Sequence, residues 1–147
     1  MNDIQTQAIK SAITQIASVL GAEAHLLQPN TSEDGVRAEL AIPGAAWGLR
    51  FYGLLDRRSV NRDGTPGRPG ELVLAVSGCV KHRRMKGFES LSHYVKGDFD
   101  TELNFYLRDG VDMLAPLVGL AAKTRSEACK LQGTWEMFDR VLGPRAA

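Results

Sequence analysis

Val36-Arg37-Ala38-Glu39-Leu40-Ala41-Ile42, then Pro43-Gly44, then Trp47-Gly48-Leu49-Arg50-Phe51-Tyr52-Gly53 is the stretch that decides the fold. Val36, Ala38, Leu40 and Ile42 alternate with Arg37, Glu39 and Ala41, the period of a strand with one buried face. Pro43 fixes φ and Gly44 tolerates positive φ, so the chain turns there. On the return, Trp47, Leu49, Phe51 and Gly53 alternate with Gly48, Arg50 and Tyr52. The two runs predict a β-hairpin with a polar side and an apolar side.

Working outward, Leu72-Val73-Leu74-Ala75-Val76 predicts a third strand running on to Val80, its unbroken apolar run suiting a position covered on both faces or central in the sheet. Upstream, Ile9, Ile13, Ile16 and Leu20 recur at helical spacing, with Ile4, Ala8, Ala12 and Ala17 widening the stripe. Asn2 or Asp3 can cap this helix and Gly21 can stop it. Downstream, Asp98 or Asp100 can cap a helix bearing Leu103, Tyr106 and Leu107, its stripe continuing through Val111, Leu114, Leu117, Val118 and Ala121. Gly110 and Pro116 interrupt that pattern, which predicts two helices or one kinked helix. Thr134 can cap a last short helix carrying Trp135, Phe138, Val141 and Leu142.

The expected architecture is therefore α+β in two layers. An N-terminal amphipathic helix, a three-stranded antiparallel sheet and C-terminal helices on one sheet face make a single domain over 1–147. The 44% apolar content is that of a folded soluble chain and excludes wholesale disorder. No run approaches the length of a membrane span, so no membrane partner is expected. Met1-Asn2-Asp3-Ile4-Gln5 lacks the basic and apolar regions of a secretory signal, so a cytoplasmic protein is expected, with Cys79 and Cys129 as free thiols.

Charge is unevenly placed. From Asp56 to Gly87 eight cations (Arg57, Arg58, Arg62, Arg68, Lys81, Arg83, Arg84, Lys86) face three acids, a local charge of +5, while the rest of the chain carries −4. Such asymmetry bears on partners, not on fold. Residues 56–70 hold five Gly or Pro and four Arg with almost no apolar anchor, so a mobile loop is expected there. Guanidinium groups grip phosphate bidentately and keep their charge, which points to nucleic acid or a nucleoprotein as partner. The bland alternative is a solvated loop. Tyr52 and Phe88 are the rings nearby that could stack on bases, though both also suit the core or its edge.

A second block is acidic. Between Glu89 and Asp112 six acids, among them Asp98, Asp100, Glu102, Asp109 and Asp112, outnumber Lys96 and Arg108. On a helix they would form a face for a protein partner with a basic groove, the reading of an adaptor or inhibitor. They could equally be a solvated side.

Signatures of chemistry are sparse. Cys79-x-x-His82 with His93 and Cys129 matches no standard zinc spacing, and the same Cys79 with His82 lacks an oxyanion element. Asp98-x-Asp100-x-Glu102 has Leu103 where a calcium loop needs Gly. Gly64-Thr65-Pro66-Gly67-Arg68-Pro69-Gly70 has no Gly-Lys-Ser/Thr, so it is not a phosphate-binding loop. No metal or cofactor is expected. A binding module is expected ahead of a small enzyme or ligand-binding domain, whose pocket a sequence does not disclose.

Overall fold

The computed structural model describes residues 2–21, 23–26, 35–42, 45–60, 64–81, 87–94, 102–109 and 114–142. The first helix, α1 (Asp3–Leu20), forms as its periodicity dictates. Asn2 accepts a hydrogen bond from the Gln5 N–H, and the Gln5 side chain accepts one from the Asn2 N–H, closing a capping box. Gly21, at φ 71°, ends the helix in the left-handed conformation that favours glycine.

The sheet is larger than the three strands the sequence predicts. Strands β1 (Glu23–Leu26), β2 (Val36–Ala41), β3 (Trp47–Leu55) and β4 (Leu72–Val80) pair antiparallel in chain order. The far edge of β4 then pairs with two segments in turn, β5 (Glu89–Ser90) against its end and β6 (Glu102–Tyr106) against its first half. The predicted hairpin is β2–β3, and β4 is central as expected. The Pro43-Gly44 turn lies outside the described residues.

The C-terminal third departs furthest from expectation. Leu103, Tyr106 and Leu107 are not helical: Glu102–Tyr106 is strand and Leu107–Asp109 a single 3₁₀ turn. Leu103 and Phe105 pack on the core from one side of β6, so the alternation of Glu102-Leu103-Asn104-Phe105 prevails over the helical spacing. One helix, α2 (Leu114–Leu142, 29 residues), runs where the sequence predicts two helices or one kinked helix and then a last short helix. Pro116 falls in its first turn, where the missing N–H has no intrahelical acceptor to lose. Thr134 does not cap a new helix; its hydroxyl donates to the Lys130 carbonyl within α2. The proposed capping residues Asp98 and Asp100 lie outside the described residues.

Both helices lie on the same face of the sheet. Ile9, Ile13, Ile16 and Ala17 of α1 and Leu117 and Leu120 of α2 share one buried cluster with Val36, Ala38, Leu40, Leu49, Phe51, Leu74 and Val76. Each fully buried Ile contributes about 1.5–3 kcal/mol by leaving water. Two glycines let the helices come close. A Cβ on Gly53 would collide with the Ile9 side chain of α1, and one on Gly78 with the Thr124 hydroxyl of α2. A second cluster joins Val80, Leu91 and Ala128, with Tyr94 and Trp135 edge-to-face at 5.6 Å between centroids. Among the described residues, no helix is long and apolar enough to cross a membrane.

Candidate functional site

Strand alternation sends every second side chain away from the helices. His25, Arg37 and Glu39, then Gly48, Arg50 and Tyr52, then Val73, Ala75, Ser77 and Cys79, then Glu102, Asn104 and Tyr106 occupy this second face, as their registers require. Neither α1 nor α2 packs on it. Val73 and Cys79 of this face are nonetheless buried and Ala75 and Ser77 half-buried, so among the described residues the face is free of helices rather than bare. The candidate site is this helix-free face with the described residues at its two ends.

One end is organised by Asp56. Its carboxylate is 2% exposed and accepts from the Arg58 N–H (3.0 Å), the Arg68 N–H (2.9 Å) and the Tyr106 hydroxyl (2.5 Å). These bonds, Tyr106 first and then Arg68, outweigh the desolvation that opposes them and pull its pKa down to about 2. The Asp56 N–H donates to the Glu71 carbonyl (2.8 Å) and the Gly70 N–H to the Asp56 carbonyl (2.7 Å), so both stems of the Arg-rich loop close on one residue. Farther out, the Gly67 N–H donates to the Ser59 carbonyl and Val60 bridges Pro66.

Arg68 is held in the same cluster. Its guanidinium stacks 4.5 Å from the Tyr106 ring centroid, hydrogen-bonds Asp109 and lies 3.9 Å from Glu71. The Asp109 bond raises the guanidinium pKa further above its ordinary value. Arg58 Nε is 3.8 Å from Asp56 with its side chain 43% exposed, and Arg57 is exposed.

The other end is built on Phe88. A methyl at Gly48 would touch Phe88 Cε1 at 3.5 Å, which places the ring over β3 on the helix-free face. The Phe88 carbonyl accepts from Arg50 Nη2 (2.6 Å), which also donates to Glu39 (3.1 Å). Arg50 Nε is buried with no hydrogen-bond partner among the described residues. Lys81 Nζ lies 5.9 Å from the Phe88 ring centroid. Cys79, directly opposite Gly48, is buried, and burial pushes its thiol up to about 12. That is the wrong direction for a thiolate ligand or nucleophile. Among the described residues, no three His, Cys, Asp or Glu side chains are grouped to hold a metal ion.

The eight predicted cations therefore do not form one patch. Arg57, Arg58 and Arg68 sit beyond the end of β3, and Lys81 beyond the end of β4. The nine-residue strands between them span about 26 Å at ~3.3 Å per residue. Arg62, Arg83, Arg84 and Lys86 lie outside the described residues. So do Asp98, Asp100 and Asp112 of the predicted acidic face. Of its other members, Glu102 stands exposed on β6 and Asp109 bonds Arg68, so the described acids share no helix and one of them engages a cation of the basic block. Between the two ends lie residues that the charge pattern alone does not single out: Arg37, its guanidinium 4.8 Å from the Tyr52 ring centroid, and Arg50. Strand alternation is the signal that joins them to the site. The chain matches no protein-family model, no curated protein and no solved structure.

Proposed function

We propose that the protein is a non-enzymatic module that binds nucleic acid, or a nucleoprotein complex, along the helix-free sheet face. The observation that supports this reading is the disposition of cations around that face. Arg57 and Arg58 stand at one end, Lys81 at the other, and Arg37 lies between them. Three cation positions over about 26 Å suit a phosphate chain laid along the strands, at ~3.3 Å per residue. Arg50 and Arg68, tied to Glu39 and Asp109, act as positioning residues. With phosphates as the main contacts, sequence preference is weak. The free thiols Cys79 and Cys129 suit a reducing, cytoplasmic setting. A protein partner for the acidic segment is the lesser reading, since Asp109 already has a partner inside the chain.

The test is fluorescence anisotropy with labelled single- and double-stranded oligonucleotides at two salt concentrations. Wild type, Arg57→Glu/Arg58→Glu and Lys81→Glu are compared. Binding should weaken steeply with salt, and each variant should flatten the slope by about 0.7–0.9 for every phosphate it no longer neutralises. No binding at low salt, or binding that neither variant alters, refutes the proposal.

A further inference from the structure

Three rings on the helix-free face each carry a cation, and they are not equivalent. Tyr106 lies under Arg68, which Asp109 and Glu71 hold in place, and its hydroxyl is bonded to buried Asp56. This ring is a structural strut. Phe88 wedges against Gly48 while its carbonyl accepts from Arg50. Tyr52 is different. No carboxylate among the described residues pairs with Arg37, the cation over its ring, so nothing described anchors that guanidinium except the ring itself. A lone cation–π contact at such a site is weak, and a charge-assisted, bidentate bond from a guanidinium to a phosphate is stronger.

Tyr52 is also seated for contact. A Cβ on Gly35 would collide with its ring, so the ring leans over the start of β2 and the glycine backbone supports it. Its register partner on the other side is Ala75, followed on the same face by Ser77. Along β4 these small side chains lie between Tyr52 and Arg50 on one flank and Asn104 and Glu102 on the other. A half-buried ring and a cation with no described carboxylate partner lie between the two basic ends.

We propose, building on the reading above, that the bound nucleic acid is single-stranded and that Tyr52 stacks on one of its bases while Arg37 moves from the ring to a phosphate. A duplex keeps its base faces inside its own stack and would meet only the cations. A single strand offers both groups at once, an unpaired π-face for the ring and a phosphate for the guanidinium.

The experiment compares a labelled oligothymidylate of about 12 nucleotides, a length within the range of single-strand sites, with an abasic chain of the same phosphate count and a duplex. Each is titrated into wild type, Tyr52→Leu and Tyr52→Phe at low salt. Wild type should bind the oligothymidylate about 10-fold tighter than the abasic chain, the scale of one base–aromatic stack. Tyr52→Leu should lose that advantage and keep its abasic affinity and salt slope, whereas Tyr52→Phe, which retains the ring, should keep the advantage. Equal binding of base-bearing and abasic chains by wild type overturns the stacking assignment and leaves phosphate binding intact; this comparison holds even if Tyr52→Leu fails to fold. No binding of any oligonucleotide overturns both, and so does preferential capture of polyglutamate, which would mark an acidic protein as the partner.

Discussion

Tyr106 donates its hydroxyl to the Asp56 carboxylate at 2.5 Å, joining β6 to the residue that follows β3 across 50 positions of chain. The bond crosses over β4, which separates the two strands in the sheet. It is charge-assisted and out of water, the setting in which a hydrogen bond contributes most.

Tyr106→Phe should therefore lower stability by about 1.5–3 kcal/mol, read as a shift in urea midpoint at constant slope. The pH response has a definite sign. The folded-state pKa of Asp56, about 2, lies below the ordinary 3.8, so its contribution is complete above pH 3.8 and is lost as pH falls toward 2. Removing the Tyr106 bond, the largest cause of the depression, should move acid unfolding to higher pH. Identical acid transitions in wild type and variant would contradict this.

Gly78 and Thr124 form a tight seam between β4 and α2. Gly78→Ala should cost about 1–3 kcal/mol by overpacking. Thr124→Ala removes the obstructing hydroxyl, whose bond goes to the Leu120 carbonyl inside the same helix. The double variant should accordingly be more stable than the sum of the single losses implies, by about 1 kcal/mol, measured as a double-mutant cycle. Additive losses would mean the two positions do not share the space.

Cys79 is buried and its thiol is held near 12, whereas Cys129 is exposed on α2. An aromatic disulfide reagent at neutral pH should titrate one thiol rapidly in the native protein and the second only after denaturant is added. Cys129→Ser should abolish the rapid phase. Two rapid thiols in the native state would place Cys79 at the surface.

Much of the fold is legible in local pattern, because α1, β2 and β3 each follow a regular period, and β4, with buried residues on both sides, reads as an unbroken apolar run. The failures have particular causes. Leu103, Tyr106 and Leu107 fall at helical spacing by coincidence, and only five residues of alternation compete with them. Pro116 reads as a breaker unless the start of the helix, two residues earlier, is already known. β1 is four residues long, too short to show a period. The site divides the same way. Arg37 and Tyr52 can be assigned to the outer face from alternation alone, but the engagement of Arg68 by Asp109, 41 positions away, depends on a tertiary contact that no pattern announces.

Both stems of the 56–71 loop close on Asp56, and the described bonds of this joint lie among 56–60 and 66–71, short of the loop tip. Lengthening it costs little, since doubling a flexible loop adds only about 0.6 kcal/mol of closure entropy. Inserting about six Gly/Ser residues after Gly64, an exposed position at φ 86°, should leave the urea midpoint nearly unchanged, and a large drop would show that the tip itself supports the fold. The consequence is modular: the end of the face that bears Arg57 and Arg58 carries an interchangeable fingertip. Its length and chemistry are free to diverge between descendants, or to be grafted by design, while the frame that presents it stays the same.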